Sequence, residues 1–455
     1  MEATKKSFGE VDFLQGSILK ALVIFSIPIL VSNIFQQCYN TADTMIVGNF
    51  LGDNSLAAIG SCTAIYDLLI GFAMGIGNGL SIVTSRSYGS RDEELLKKSV
   101  AGSIVIWLVC SVIITMIAVF GTYPLLQLLN TPIDIIDEAY GYIFIISLFI
   151  GVMFAYNLCA GMMRAIGNSV MPLVFLVVSS IVNIGLDILF ITKLNMGIAG
   201  AAWATVIAQG ISVLLCIIYV LKNTPVLVPE KRHFRIEKEL YMELLGQGMS
   251  MGFMSCIVSA GSVILQYGIN GLGKLVIAGH TTARKLYMFF NMPFMSMAVA
   301  CSTFVGQNRG ANQPKRIRKC LKICYLYDIV MAAIITVLIY FVAPSLVKFV
   351  SGSNSTVVLS NGAMYLRVVG PFYAVLGVLI QSRNALQGIG KKIVPLISSV
   401  IEFVGKVIFV LVFIPKFQYM AVVFCEPVIW CVMTIQLLYS LYSNAYMKEA
   451  KNSLV

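Results

Sequence analysis

The sequence is poor in charge. Only 12% of its 455 residues are Asp, Glu, Lys or Arg, against about 25% in an ordinary soluble protein. So few charges do not cover the surface of a water-soluble chain of this length. It is also poor in metal-site chemistry. There are two histidines, His233 and His280, and none of the 11 cysteines forms a CxxC pair or a Cys/His ligand spacing. Cys320 and Cys324 are one helical turn apart, but no third ligand stands near them in sequence. No metal, cofactor, or Ser/His nucleophile constellation is expected, so enzyme chemistry is excluded as the main reading. Buried cysteines are instead read as small hydrophobes.

What the chain has is apolar length: 58% of residues are hydrophobic and mean hydropathy is +0.87. Twelve runs approach the ~20 residues needed to cross a bilayer. Their cores are 19–47, 54–83, 100–121, 139–162, 170–192, 196–221, 243–270, 275–304, 321–343, 361–381, 393–415 and 419–441. The first follows Glu10 and Asp12 and shows no small-residue cleavage site, so it reads as a mature span and not a secretory signal.

The net charge of +11 would suit nucleic acid if it were clustered. Threading the chain with both termini in the cytoplasm explains it otherwise. The inner segments take 24 Lys and Arg, the outer loops and outer helix ends take 7, and Lys406 falls within a span. That asymmetry is the positive-inside rule. It predicts a multi-pass protein of the cell membrane with membrane lipids as neighbours and no nucleic-acid partner. His233 falls in a basic inner loop and is expected to be solvated; His280 lies near an outer helix end.

The longest hydrophilic connection, KNTPVLVPEKRHFRIEKEL at 222–240, separates six spans from six. The halves repeat. GDNSLAAIGS from Gly52 pairs with GLGKLVIAGH from Gly271. SYGSRDEELLKK pairs with NRGANQPKRIRK with Gly89 on Gly310. RAIGNSVMP pairs with QGIGKKIVP with Gly167 on Gly390. The expected fold is therefore an all-α integral membrane protein of twelve transmembrane helices. It has an N-lobe over 1–221, a cytoplasmic linker over 222–240 and a C-lobe over 241–455, related by a pseudo-twofold axis along the membrane normal. Transporters commonly bind their cargo between such repeats.

The first run carries NIFQQCYNTADT at 33–44. Asn33, Gln36, Asn40 and Asp43 share one helix face by spacing. In lipid, such a face must look into the bundle or a water-filled cavity. The fifth run adds Asn183 and Asp187 at i, i+4. Asp43 lies six residues before Asn49 and Asp187 six before Lys193, so at 1.5 Å per residue both acids sit roughly 9 Å below the outer end. A shared pocket holding two acids takes up and releases a proton, or holds Na⁺. The C-lobe does not repeat the pair: Ser262 falls opposite Asp43, Lys406 opposite Asn183 and Val410 opposite Asp187. Glu402 and Lys406 form an i, i+4 pair in the eleventh run. Asn33, Tyr39, Asn40, Glu402 and Lys406 are candidate substrate-cavity residues. Asp67, Asp328 and Glu426 are read as structural.

Six segments in order carry a resemblance: SIPILVSNIFQQCYNTADTMIVGNFLG, GNGLSIVTSRSYGSRDEEL, NLCAGMMRAIGNSVMPL, NIGLDILFI, GIAGAAWATVIAQ and FVGQNRGANQPKR. Together they resemble the multidrug and toxic-compound extrusion family, on its bacterial DNA-damage-inducible (DinF-like) branch. The resemblance implies two six-helix lobes and efflux of amphipathic, often cationic, small organic compounds in exchange for H⁺ or Na⁺, by a monomer without a cofactor. It implies a cation-coupling site in the N-lobe: Asp43 with Gln36, Asn183 with Asp187, Thr205, and Asn157. The seventh and tenth runs lack the core acids of the family's other branch, which puts a C-lobe Na⁺ site in doubt. The alternative is a lipid-linked oligosaccharide flippase of the same superfamily. A flippase handling a pyrophosphate would line its cavity with bases, and the N-lobe interiors carry acids.

Overall fold

A computed structural model describes residues 9–129 and 131–452. Lys5 and Lys6, counted above on the inner side, lie outside them. The described chain is helical, and no strand occurs among the described residues. The first seven helices are α1 (Ile18–Leu51), α2 (Asp53–Gly89), α3 (Glu93–Leu128), α4 (Ile133–Leu148), α5 (Ile150–Ala165), α6 (Val170–Ile188) and α7 (Ile198–Asn223). The chain continues through α8 (Lys238–Asn270), α9 (Lys274–Gly310), α10 (Pro314–Ser351), α11 (Thr356–Val369), α12 (Tyr373–Gly388), α13 (Ile393–Ile408), α14 (Ile414–Phe417), α15 (Tyr419–Ser443) and α16 (Ala445–Asn452).

Among the described residues, eleven helical stretches are long and apolar enough to cross a membrane, and α4 with α5, taken as one span, makes a twelfth. That span is bent by 47° at Phe149, so the fourth apolar run is two helices. Its counterpart, α11 with α12, is interrupted by the 3₁₀ turn Gly370–Phe372. Large apolar side chains such as Phe120, Phe341 and Phe349 are at least 80% exposed. Such an apolar exterior suits lipid.

Local chemistry sets the ends. Asp92 caps α3, its carboxylate accepting from the Leu95 N–H at 3.0 Å, and Glu93 and Glu94 follow in the first turn. Pro314 opens α10 where a missing N–H costs nothing, and Gly352 closes it in the left-handed conformation.

Positive backbone φ occurs at matching places in both halves: Gly52 and Gly273, Arg91 and Asn312, Gly167 and Gly390, Gly197 and Gln418. The internal repeat thus extends to the turns. It also corrects one pairing. Gly52, which precedes α2, corresponds to Gly273, which precedes α9, and not to Gly271. The two extra residues lie in the turn after α8.

By compactness the chain forms two units. Among the described residues, the first holds 9–14 and 27–256 and the second holds 15–26 and 257–452. The helix count gives lobes of 1–221 and 241–455, whereas here the first half of α8 packs with the first unit. Its GxxxG segment, Gly248 to Gly252, faces another, Gly75 to Gly79, on α2. A Cβ on Gly79 would stand 2.6 Å from the Gln247 carbonyl oxygen. Only glycines allow backbones this close, a familiar way of joining helices in lipid.

The linker is not a loose connection. The 3₁₀ turns Pro225–Leu227 and Lys231–Phe234 dock on the first unit, and Leu227 and His233 are buried. The expected solvated His233 is corrected: it is 1% exposed, held by two hydrogen bonds.

Candidate functional site

α1 and α6 bring Asp43 and Asp187 together in the first unit. The two carboxylates are electrostatic neighbours that interact side chain to side chain. Asp187 is fully buried, and Oδ1 of Asp43 and both Asp187 oxygens have no donor. Two ionised carboxylates repel and offer lone pairs alone, so a proton or a cation is what joins such a pair. Asn183, one turn before Asp187 and 2% exposed, also leaves its amide oxygen and nitrogen unpartnered. Unpaired buried polar groups are expensive, so this is a polar pocket with unmet bonding capacity.

Tyr39, one turn before Asp43, is an electrostatic neighbour of both acids, and the Gln209 side chain on α7 lies beside its hydroxyl. Tyr66 on α2 and Tyr142 on α4 also neighbour Asp43. Gln209, Tyr66 and Tyr142 were not read from the sequence. They come from three other helices, and periodicity within one helix carries no sign of them.

The remaining expected residues are less closely gathered. Gln36 and Asn33 are half-buried on α1, and Asn40 is exposed. Asn157 donates to the Met153 carbonyl within its own helix, 2.8 Å away, and Thr205 is half-buried on α7. No hydrogen bond joins either to the acids among the described residues. The depth argument shifts for α1. That helix runs to Leu51, so Asn49 is helical and Asp43 lies eight residues, ~12 Å, from its end.

The second unit holds a different constellation. Lys406 Nζ donates to Glu402 Oε1 at 2.9 Å, the pair expected from spacing. Glu426, read as structural from sequence, ties this pair into a wider network. Its Oε2 accepts from Arg284 Nη1 at 2.7 Å and from the Tyr365 hydroxyl at 2.8 Å, and its Oε1 is 4.0 Å from Lys406 Nζ. Arg383 stands 3.9 Å from Glu402. Arg284 had been counted with the outer helix ends, but it lies ten residues into α9, ~15 Å deep. His280 is buried there, edge-on to Tyr365 and Tyr419. The buried stripe of α6, through Pro172, Asn183, Asp187 and Ile191, recurs as Pro395, Lys406, Val410 and Ile414 along α13 and its continuation. The acid pair of one unit therefore has an ion-pair network, and not a second acid pair, at the corresponding level of the other.

The MatE family model matches residues 28–189 and 251–412. The chain belongs to the MatE family. The two matched segments are themselves the sequence repeat, and MatE proteins are membrane transporters, not enzymes. Two relatives come from Bacillus subtilis (strain 168). "Probable multidrug resistance protein YpnP" is 28% identical, over 86% of this chain and 87% of the relative. "Probable multidrug resistance protein YoeA" is 26% identical over 96% of both. "Multidrug export protein MepA" of Staphylococcus saprophyticus is 24% identical over 83% of this chain and 81% of the relative. Among solved structures, MATE in the bent conformation superposes with TM-score 0.88 at 23% identity, covering 98% of this chain and 100% of that one. An outward-facing multidrug resistance MATE family transporter of the MOP superfamily gives 0.86 at 23% identity, covering 96% and 99%. These likenesses support the twelve-span MatE fold.

Proposed function

We propose that this MatE protein is a secondary antiporter that exports amphipathic organic compounds in exchange for a cation bound between Asp43 and Asp187. The observation that carries the reading is the approach of these two carboxylates inside one unit, with no donor on three of their oxygens. A proton or Na⁺ between them removes the repulsion and the unmet bonding at once. Such a site changes affinity when its helices move, which an exchanger requires. The export function is drawn from the relatives' names and the coupling from the geometry. Both termini in the cytoplasm and alternating access belong to the same proposal.

The flippase alternative needs free bases. Arg284, Lys406 and Arg383 each have a carboxylate within 4.0 Å, so their charge is already matched. The test is efflux of a fluorescent organic cation from proteoliposomes under an imposed pH gradient and, separately, an imposed Na⁺ gradient. Uphill efflux under one gradient supports antiport. Flux that ignores both gradients overturns it.

A further inference from the structure

Three cysteines of the second unit, none of them part of the acid pair or of the ion-pair network, converge. The sequence showed Cys320 and Cys324 without a third partner. The structure supplies one: Cys301 on α9, 19 residues earlier, meets them on α10. All three Sγ atoms lie within 4.8 Å of one another, and Cys320 and Cys324 are 3.9 Å apart. Each residue is 0% exposed.

We propose that Cys301, Cys320 and Cys324 form a closed three-thiolate site for a thiophilic divalent cation of the zinc–cadmium class. The spacing suits one. With a metal–sulfur bond of ~2.3 Å, an ion at the centre of a thiolate triangle holds its sulfurs ~4.0 Å apart. One edge is already 3.9 Å, and the others have at most 4.8 Å to close from. The donor set is all sulfur, which selects soft ions over Na⁺, Mg²⁺ or Ca²⁺. Asp328, one turn past Cys324, is bonded by Gln381 at 3.3 Å and lies outside the three-residue group. The other eight cysteines form no such group among the described residues.

Charge points to a divalent ion. Three thiolates around it carry one net negative charge. Arg316 stands one turn before Cys320 on α10, with its guanidinium 5.6 Å from the ring of Phe304 on α9, three residues from Cys301. A monovalent ion would leave two net negative charges in this buried place, and a divalent ion leaves one. On binding, three S–H bonds give way to three metal–sulfur bonds, and the protons leave to bulk water. Cys320 is only six residues, ~9 Å, from the start of α10. A metal there fastens α9 to α10. All three donors are fully buried, so the ion is held and not transported.

The full-length protein in detergent, kept reduced, is titrated with Cd²⁺. The expected result is an ultraviolet thiolate-to-metal charge-transfer band that saturates at one equivalent. It should be absent from the Cys301→Ser, Cys320→Ser, Cys324→Ser triple variant, with the other eight cysteines as internal background. Each single Ser variant should weaken binding at least tenfold. Cd²⁺ should raise the unfolding temperature of the wild type and not of the triple variant, because a ligand of the folded state stabilises it. Where the Ser variant does not fold, the triple Ala variant takes its place. Equal bands in wild type and variant, or no saturable band in either, overturn the proposal.

Discussion

Gly75 and Gly252 meet backbone to backbone: a Cβ on Gly75 would lie 2.7 Å from the Cα of Gly252 and 2.6 Å from the Met251 carbonyl oxygen. No L-residue other than glycine fits there without moving a helix. Gly75→Val and Gly79→Val should each destabilise the first unit by about 2 kcal/mol or more, the usual penalty for overpacking. A lowered thermal unfolding midpoint in detergent checks this. Gly60→Val is the control, since nothing stands within 4 Å of a Cβ there. If the control and the contact variants unfold together, the close crossing is not what holds α8 to α2.

Glu426 supports two bases at once. Glu426→Gln removes the carboxylate that Arg284 contacts at 2.7 Å and Lys406 at 4.0 Å. Breaking a buried ion pair from one side leaves a charge without its partner and costs about 3 kcal/mol. Arg284 is 27% exposed, so water recovers part of that. The Arg284→Met, Glu426→Gln double variant should regain stability relative to Glu426→Gln alone. Thermal unfolding of the four proteins in a double-mutant cycle measures the coupling. Additive effects would show that the contact is incidental.

His233 fixes the linker through a defined tautomer. Its Nδ1 accepts the Glu230 N–H at 2.8 Å, so Nε2 carries the hydrogen that Glu94 accepts at 3.0 Å. His233→Ala removes the acceptor of the Glu230 N–H and the partner of Glu94, and should cost about 1 kcal/mol. A hydrophilic connection such as 222–240 should tolerate a few added Gly and Ser, because loop-closure entropy grows slowly with length. The docked turns narrow this. Insertion after Ile236, which is exposed, should be silent. Insertion between Leu227 and His233 should lower the yield of folded protein. Equal yields from both insertions would return the linker to a free connection.

The fold was legible because lipid imposes a crude rule: twenty apolar residues cross, and a repeat of Gly167 at Gly390 marks duplication. What escaped needed the third dimension. Arg284 falls inside the apolar run 275–304, and a lone base there reads as an outer helix end until α9 is seen to extend ten residues beyond it. Cys301 was invisible as a partner because the thiol that matters lies on a neighbouring helix. Tyr66, Tyr142 and Gln209 reach the acids from α2, α4 and α7 in the same way. Spacing along one helix reports which residues share a face. It does not report what that face meets.

The threading is open to a direct check. Lys231 and Asp134 are both exposed. A cysteine at 231 should react with a membrane-impermeant maleimide only from the cytoplasmic side, and one at 134 only from outside. Native cysteines at exposed positions, such as Cys38, must first be replaced. Reaction of position 134 from the cytoplasm would invert the topology.

The acid pair gives the functional prediction. Asp43→Asn and Asp187→Asn keep the shape of the pocket, since an amide and a carboxylic acid are nearly the same size. Each amide supplies a donor to the remaining acid, so the fold should persist and unfolding should shift little. Substrate binding should survive, because neither change introduces bulk. The loss should be specific: a cation gradient should no longer drive uphill efflux, because a site with equal affinity in both states shifts no equilibrium. Asp43→Asn alone should reduce gradient-driven transport at least tenfold, and the double variant should abolish it. Asp328→Asn should change it less, since that acid lies in the second unit, bonded by Gln381. Proteoliposomes with a fluorescent organic cation inside, an imposed pH or Na⁺ gradient, and binding measured separately in detergent keep coupling apart from affinity. Gradient-driven efflux at wild-type rate in the double variant would remove Asp43 and Asp187 from the mechanism and turn attention to Glu402, Lys406 and Glu426.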